Sequence, residues 1–314
     1  EQKEDRSSVF GRDGGTLDYV TCWDKKAAVY SRGEHIRCAF VSTNSICQGQ
    51  QVEPLWKPLF ADGIGIDFAW HTFVWNSEAT DEAHVHVVIV GFSRENVMPK
   101  RIRDVMTAYD EAGRAAGSES IMHDADMING YLADAPSTFL QKRSSPICHV
   151  PRMVRGGGVG DWGFFTLTTK EVEDIVAKEP EARRWIRPFS MGAEFIKGIP
   201  RYCLWMKDIE PSDLRSLPIV SQRVEEVRRM REQSPRASTR KHAETPWLFD
   251  EDSVPKGNFI AIPQVSSGRR EYIPMGFVTN GLIPGNKLFF VDDAGLFEFG
   301  ILESQFHNAW MRAV

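Results

Sequence analysis

Two long β-prone runs, Ile66 to Trp75 and His84 to Phe92, are separated only by the short polar link Asn76 to Ala83. Parallel neighbours need a crossover of a dozen or more residues, usually a helix, so this link forces the two runs to pair as an antiparallel hairpin. Upstream, Leu17, Val20, Trp23, Ala27 and Tyr30 recur at helical spacing, with Thr16 as the expected N-cap and Gly33 beyond the end. Ile36 to Val41 is an apolar run of strand length and Ser42 to Ser45 is a polar turn, after which Val52, Leu55, Trp56 and Leu59 resume the helical period. Helix, strand, loop, helix is the order of an open α/β sheet, here one that ends in a hairpin.

The texture then changes. Pro99 to Ala135 lacks apolar periodicity and carries Gly113 and Gly117, which reads as a surface connection with one weak helix and places a domain boundary near residue 130. Two domains are therefore expected, 1–130 and 131–314. The second shows short strand-like runs (Phe259 to Ile262, Glu271 to Phe277, Lys287 to Val291) and the string Arg155-Gly156-Gly157-Gly158. Helices are predicted at Thr169 to Ala177, with Thr169 as a cap, at 218–232, opened by Pro218, and at Leu302 to Arg312.

Composition removes several classes. With 314 residues and 42% hydrophobic content, the chain is neither a disordered tail nor a stapled miniprotein. A net charge of -5 does not suit a non-specific nucleic-acid coat, although a sequence reader can confine positive charge to one face. The five cysteines are scattered without a CxxC pair, so reduced thiols and no structural zinc are expected. No apolar run approaches the roughly 18 residues of a membrane helix, and the charged start EQKEDRSS is unlike a signal peptide. A soluble cytoplasmic protein is the expectation. Glu1 is not preceded by methionine and the first clear element opens near Thr16, so a longer polypeptide upstream is also expected.

Eight strings, in order, carry a family resemblance: LDYVTCWDKKAAVY (17–30), AFVSTNSICQGQQVEPLW (39–56), IDFAWHTFVWNSEA (66–79), HVHVVIVGF (84–92), INGYLADAP (128–136), EFIKGIPRYCLWMKD (194–208), REYIPMGF (270–277) and FGILESQFHNAWMRAV (299–314). Together they resemble the MmeI-type, or YeeA-like, restriction-modification DNA methylases. That resemblance implies a partial class I, Rossmann-like methyltransferase sheet ending in an antiparallel hairpin, followed by a mixed α+β target-recognition domain. It further implies methylation of the adenine exocyclic amine with S-adenosylmethionine as donor, double-stranded DNA as partner, and a possible fusion to an endonuclease. The family's Asn-Pro-Pro-aromatic catalytic motif does not occur in these residues, nor does a glycine-rich donor loop after a strand. No catalytic residue and no donor site are therefore assigned here, and this chain alone is expected to be inactive. Two other readings stay open: a non-enzymatic specificity module serving a separate catalytic subunit, and a methyltransferase for RNA or a small molecule.

The target base must leave the duplex before its amine can react, at a cost of roughly a few kcal/mol. Open α/β sheets bind ligands beyond the carboxyl ends of their strands, so Asn44 and Ser45 are candidates for the base pocket; the alternative is that they cap the next helix. Strict alternation places Phe68, Trp70, Thr72 and Val74 on one face, and Asp67, Ala69, His71, Phe73 and Trp75 on the other. The resemblance puts the pocket wall here, making His71, Phe73 and Trp75 candidates; ordinary core packing is the competing reading. His84 and His86 share a strand face, but two ligands without a third do not make a metal site, and none is assigned. Candidate DNA contacts are Arg223 and Arg228 on the arginine-rich helix, Arg152 and Arg155 beside the glycine run, and Arg269 and Arg270 after Ser266-Ser267-Gly268. Solvated, ion-paired helix arginines are the alternative for the first two.

Overall fold

A five-stranded mixed sheet organises the first half of the chain. The computed structural model describes residues 1–75, 85–109, 115–140, 143, 145–267, 270–279 and 281–313. Contacts divide the chain into two units, Glu1–Ser145 with Ala313–Val314, and Pro146–Arg312. The first contains α1 (Gln2–Phe10), α2 (Thr21–Tyr30), β1 (Arg37–Thr43), α3 (Val52–Ala61), β2 (Gly65–Trp75), β3 (Val85–Ser93), β4 (Lys100–Tyr109) and β5 (Ala115–Ala125). The expected hairpin forms, and its return strand inserts between its two elders: β3 pairs antiparallel with β1 (Thr43 opposite Val87) and with β2 (Phe73 opposite Val87). Strand order is β1-β3-β2-β4-β5, with β2 and β4 parallel. The link Asn76 to Ala83 and His84 lie outside the described residues.

Helix α3 covers this sheet. Val52, Leu55, Trp56 and Leu59 are fully buried against Ile66, Ala69, Val88, Val90 and Phe92, and each such side chain contributes roughly 1.5–3 kcal/mol. Trp56 satisfies its one polar atom by donating from Nε1 to the Ile46 carbonyl at 2.8 Å. Gly130 is required opposite it, since a Cβ there would stand 2.9 Å from the Trp56 ring.

Two expectations are corrected. Helix α2 begins at Thr21, not Thr16: Gly11–Thr16 form a 3-10 segment, Leu17 is extended (φ −81, ψ 145), and its side chain enters the core. Arg6 donates to the Leu17 carbonyl and the Thr21 hydroxyl donates to the Asp18 carbonyl, so the backbone groups of this corner have partners without a helix. The presumed surface connection after Pro99 is instead the long hairpin β4–β5, paired from Lys100↔Ala125 to Tyr109↔Ala115. Among the described residues only its base is buried, at Lys100, Ile102 and Ala125, while Met106, Ile121 and Met122 are exposed. A strand wet on both faces has no apolar alternation to betray it, because its stability comes from the backbone ladder.

The second unit holds two four-stranded sheets. One is β11 (Gly276–Val278), β10 (Phe259–Pro263), β13 (Leu288–Asp292) and β6 (Met153–Arg155); the other is β12 (Ile283–Pro284), β8 (Ile186–Ser190), β9 (Tyr202–Leu204) and β7 (Thr166–Leu167). Its helices are α4 (Thr169–Lys178), α5 (Gly192–Lys197), α6 (Pro211–Arg215), α7 (Pro218–Glu232), α8 (Ala237–Lys241), α9 (Leu296–Leu302) and α10 (Gln305–Ala313). Helix α4 is capped one residue earlier than expected, by Thr168 in a reciprocal capping box with Glu171. Helix α7 has the predicted bounds and buries Val220, Val224, Val227 and Met230 along one stripe. The run Glu271 to Phe277 keeps only Gly276–Val278 as strand. At the glycine string, a Cβ on Gly156 would stand 2.5 Å from the Pro284 and Gly285 carbonyl oxygens, so close backbone approach does require glycine there.

Candidate nucleic-acid interface

The pairing registers bring four of the predicted pocket residues to one end of one sheet. Thr43, Val87 and Phe73 are lateral neighbours across β1, β3 and β2, so Asn44 and Ser45, just past β1, share an edge with Phe73 and Trp75. This is the carboxyl end of both β1 and β2. Neither Asn44 nor Ser45 caps α3, whose N-cap position is Gln51; they open a 3-10 turn, and the Ser45 hydroxyl donates to Asp18 at 2.6 Å. Hydrogen bonding to the Gln51 side chain, and then to the Ser45 hydroxyl, holds the Asp18 carboxyl below its usual range.

Strict alternation fails in β2. Trp70 opposes Ile89 and Phe73 opposes Val87, so one extra residue sits between them and carries Phe73 and Trp75 to the side of Trp70, away from Ala69. The rings follow one another at 6.0 Å and 6.4 Å, and all three remain at least partly accessible. Arg103 of β4 stacks over Trp70 at 4.7 Å. A shift of one residue is invisible in a sequence, and with β4 read as loop, Trp70 and Arg103 were missed; the Arg-x-Arg alternation at 101–103 was the one available signal. His71 is held at both ring nitrogens, Nδ1 against the Asp104 carboxylate and Nε2 donating to the Leu132 carbonyl at 2.9 Å.

The arginines sort by partner. On α7, Arg223 pairs with Glu171 at 3.0 Å and donates to the Phe164 carbonyl, Arg228 pairs with Glu225 at 3.2 Å, and Arg229 with Glu225 and Glu226. Arg231 is wholly buried, bonded to five carbonyls and ion-paired with Asp250 at 3.0 Å. The helix thus spends most of its charge internally. Arg152, Arg155 and Arg270 are exposed; among the described residues Arg155 uses Nε on the Asn286 carbonyl, while Arg270 borders a cleft of about 420 Å³ with Ser266 and Arg312. Arg269 lies outside the described residues.

Among the described residues no cluster of three His, Cys, Asp or Glu could hold a metal ion; His86 is exposed. No helix among the described residues is long and apolar enough to cross a membrane.

The first unit thus carries a sheet with an aromatic edge, and the second presents loop arginines. Family models place the parts: residues 1–104 match the MmeI DNA-methyltransferase domain and 134–314 the MmeI target recognition domain. The chain belongs to the MmeI family. It is 35% identical to DNA methyltransferase A of Bacillus subtilis (strain 168), over the whole of this chain and 34% of that protein. It is also similar to the solved structure of the type IIL restriction-modification enzyme MmeI in complex with DNA, with 39% identity and a TM-score of 0.92, covering all of this chain and 41% of that one. The chain therefore spans between a third and a half of the length of these relatives.

Proposed function

We propose that this chain is part of a site-specific DNA adenine-N6 methyltransferase of a restriction-modification system, in which it supplies a wall of the flipped-base pocket and the sequence-specific grip on duplex DNA. The observation that carries this is the half-exposed stripe Trp70, Phe73 and Trp75 at the strand-carboxyl edge shared with Asn44 and Ser45. An extruded base offers a π-face, and stacking it on an aromatic ring is worth roughly 1–3 kcal/mol. Duplex DNA is held through Arg152, Arg155 and Arg270, with Arg269 next to Arg270 in the sequence. Arg223 and Arg228 add to the local field while serving α7. His71 acts from behind, fixing the strand from which Phe73 projects. Residues 1–130 complete the catalytic domain and 131–314 form the reader.

S-adenosylmethionine is the methyl donor of the whole protein, held by polypeptide outside this chain together with the groups that activate the amine. The chain by itself transfers no methyl group, and the whole protein works in the cytoplasm. Transfer of labelled methyl from S-adenosylmethionine to duplex DNA by the full-length protein tests this reading. Methylation of adenine N6 at one sequence is expected, abolished or strongly reduced by Phe73→Ala with duplex binding retained. Methyl transfer to RNA or a small molecule, with none to DNA, would overturn it.

A further inference from the structure

A second cleft in the Pro146–Arg312 unit serves none of the roles above. It has a volume of about 250 Å³ and is lined by Trp205, Trp247 and Phe249 together with Asp208, Asp250 and Asp252. The Trp205 and Phe249 rings stand 4.9 Å apart at 82°, so they form a corner instead of a closed stack. The charges around it do not cancel. Lys207 neutralises Asp252 at 2.8 Å and Arg231 neutralises Asp250 at 3.0 Å. Asp208 is exposed and, among the described residues, has neither an ion pair nor a side-chain hydrogen bond; it shares the field of Lys207 with Asp252, so the three carboxylates exceed the two cations by one.

Those features select a ligand by chemistry. Aromatic faces carry negative potential, so with Asp208 they repel phosphate and carboxylate groups. A neutral apolar ligand would fill the corner but leave the acid unmatched. A strongly hydrated inorganic cation would meet the acid but gain nothing from the rings. A cation sheathed in methyl or methylene groups satisfies both. We propose that this cleft binds a small alkylammonium ion, its apolar groups against Trp205 and Trp247 and its charge towards Asp208. The site is separate from the DNA contacts proposed above and does not depend on them.

Calorimetric titration of the intact protein with tetramethylammonium chloride and with spermidine, each against potassium chloride at equal ionic strength, tests the inference. Saturable binding of at least one organic cation and none of potassium is expected; which one binds separates a quaternary from a primary ammonium ligand. Trp247→Ala should weaken that binding roughly tenfold or more, and the exposed Asp208→Asn by about threefold, with the thermal melt of Asp208→Asn unchanged. If Trp247→Ala melts early, Trp247→Phe replaces it and should retain most of the affinity. No saturable heat from either organic cation, equal heats from potassium, or affinity untouched by Asp208→Asn and Trp247→Ala would each overturn the proposal.

Discussion

Each unit encloses an ionisable side chain almost completely, and the two are treated in opposite ways. Asp24 on α2 is 1% exposed and neither carboxylate oxygen has a partner from another residue among those described, so desolvation outweighs the bond to its own backbone and pushes its carboxyl up to about 7. Arg231 on α7 is 0% exposed but surrounded by the Gly160, His242, Thr245, Val159 and Leu248 carbonyls and by Asp250. Guanidinium cannot discharge near neutral pH, so its burial demands partners from several segments; a carboxyl can escape by taking a proton. The first unit therefore contains a titrating weak point, and the second a clamp that ties α7 to the segments around 159 and 242–250.

The sharpest way to break this contrast is Arg231→Met. It leaves Asp250 unpaired and withdraws a donor from five carbonyls, of which only those of His242 and Thr245 keep a backbone donor, so a loss of about 3–5 kcal/mol is expected, read from denaturant unfolding. A midpoint equal to that of the unsubstituted protein would dissolve the clamp. Next comes Asp24→Asn. A carboxyl whose pKa is higher folded than unfolded binds its proton more tightly in the native state, so it imposes no penalty below the unfolded value of 3.8 and its full penalty above about 7. Across that window the unsubstituted protein should lose on the order of 4 kcal/mol relative to Asp24→Asn, measured as unfolding free energy against pH. Parallel curves would mean that Asp24 does not titrate as described.

Smaller effects separate the arginine classes. Replacing Trp75 or Phe73 by Ala should cost roughly 1–3 kcal/mol in binding DNA that contains an unpaired target adenine, and much less with an intact non-cognate duplex. Arg152→Ala or Arg270→Ala should each lower the slope of log K against log salt by about 0.9 while leaving the melt unchanged. Arg228→Ala, whose charge already meets Glu225, should alter stability by about 0.5 kcal/mol or less and lower the salt slope least of all. Equal slope changes for Arg228 and Arg152 would erase the distinction between internal and outward arginines.

Where apolar periodicity meets a buried face, the residues themselves were decisive. Helix α7, its proline start included, and the pairing of β2 with β3 follow from spacing and from a link too short to cross over. The glycine string was legible for the same reason, since only a missing Cβ admits that carbonyl contact. Three things were decided only in three dimensions. Among the described residues the hairpin β4–β5 is buried only at its base and leaves no hydrophobic period. The extra residue after Trp70 transfers Phe73 and Trp75 to another side of the sheet, a matter of register that any linear alternation must miss. The fate of each arginine depended on carboxylates and carbonyls brought from up to 72 residues away, as for Arg231 and the Val159 carbonyl. Local sequence sets which atoms want partners; long-range packing alone settles which of them find one.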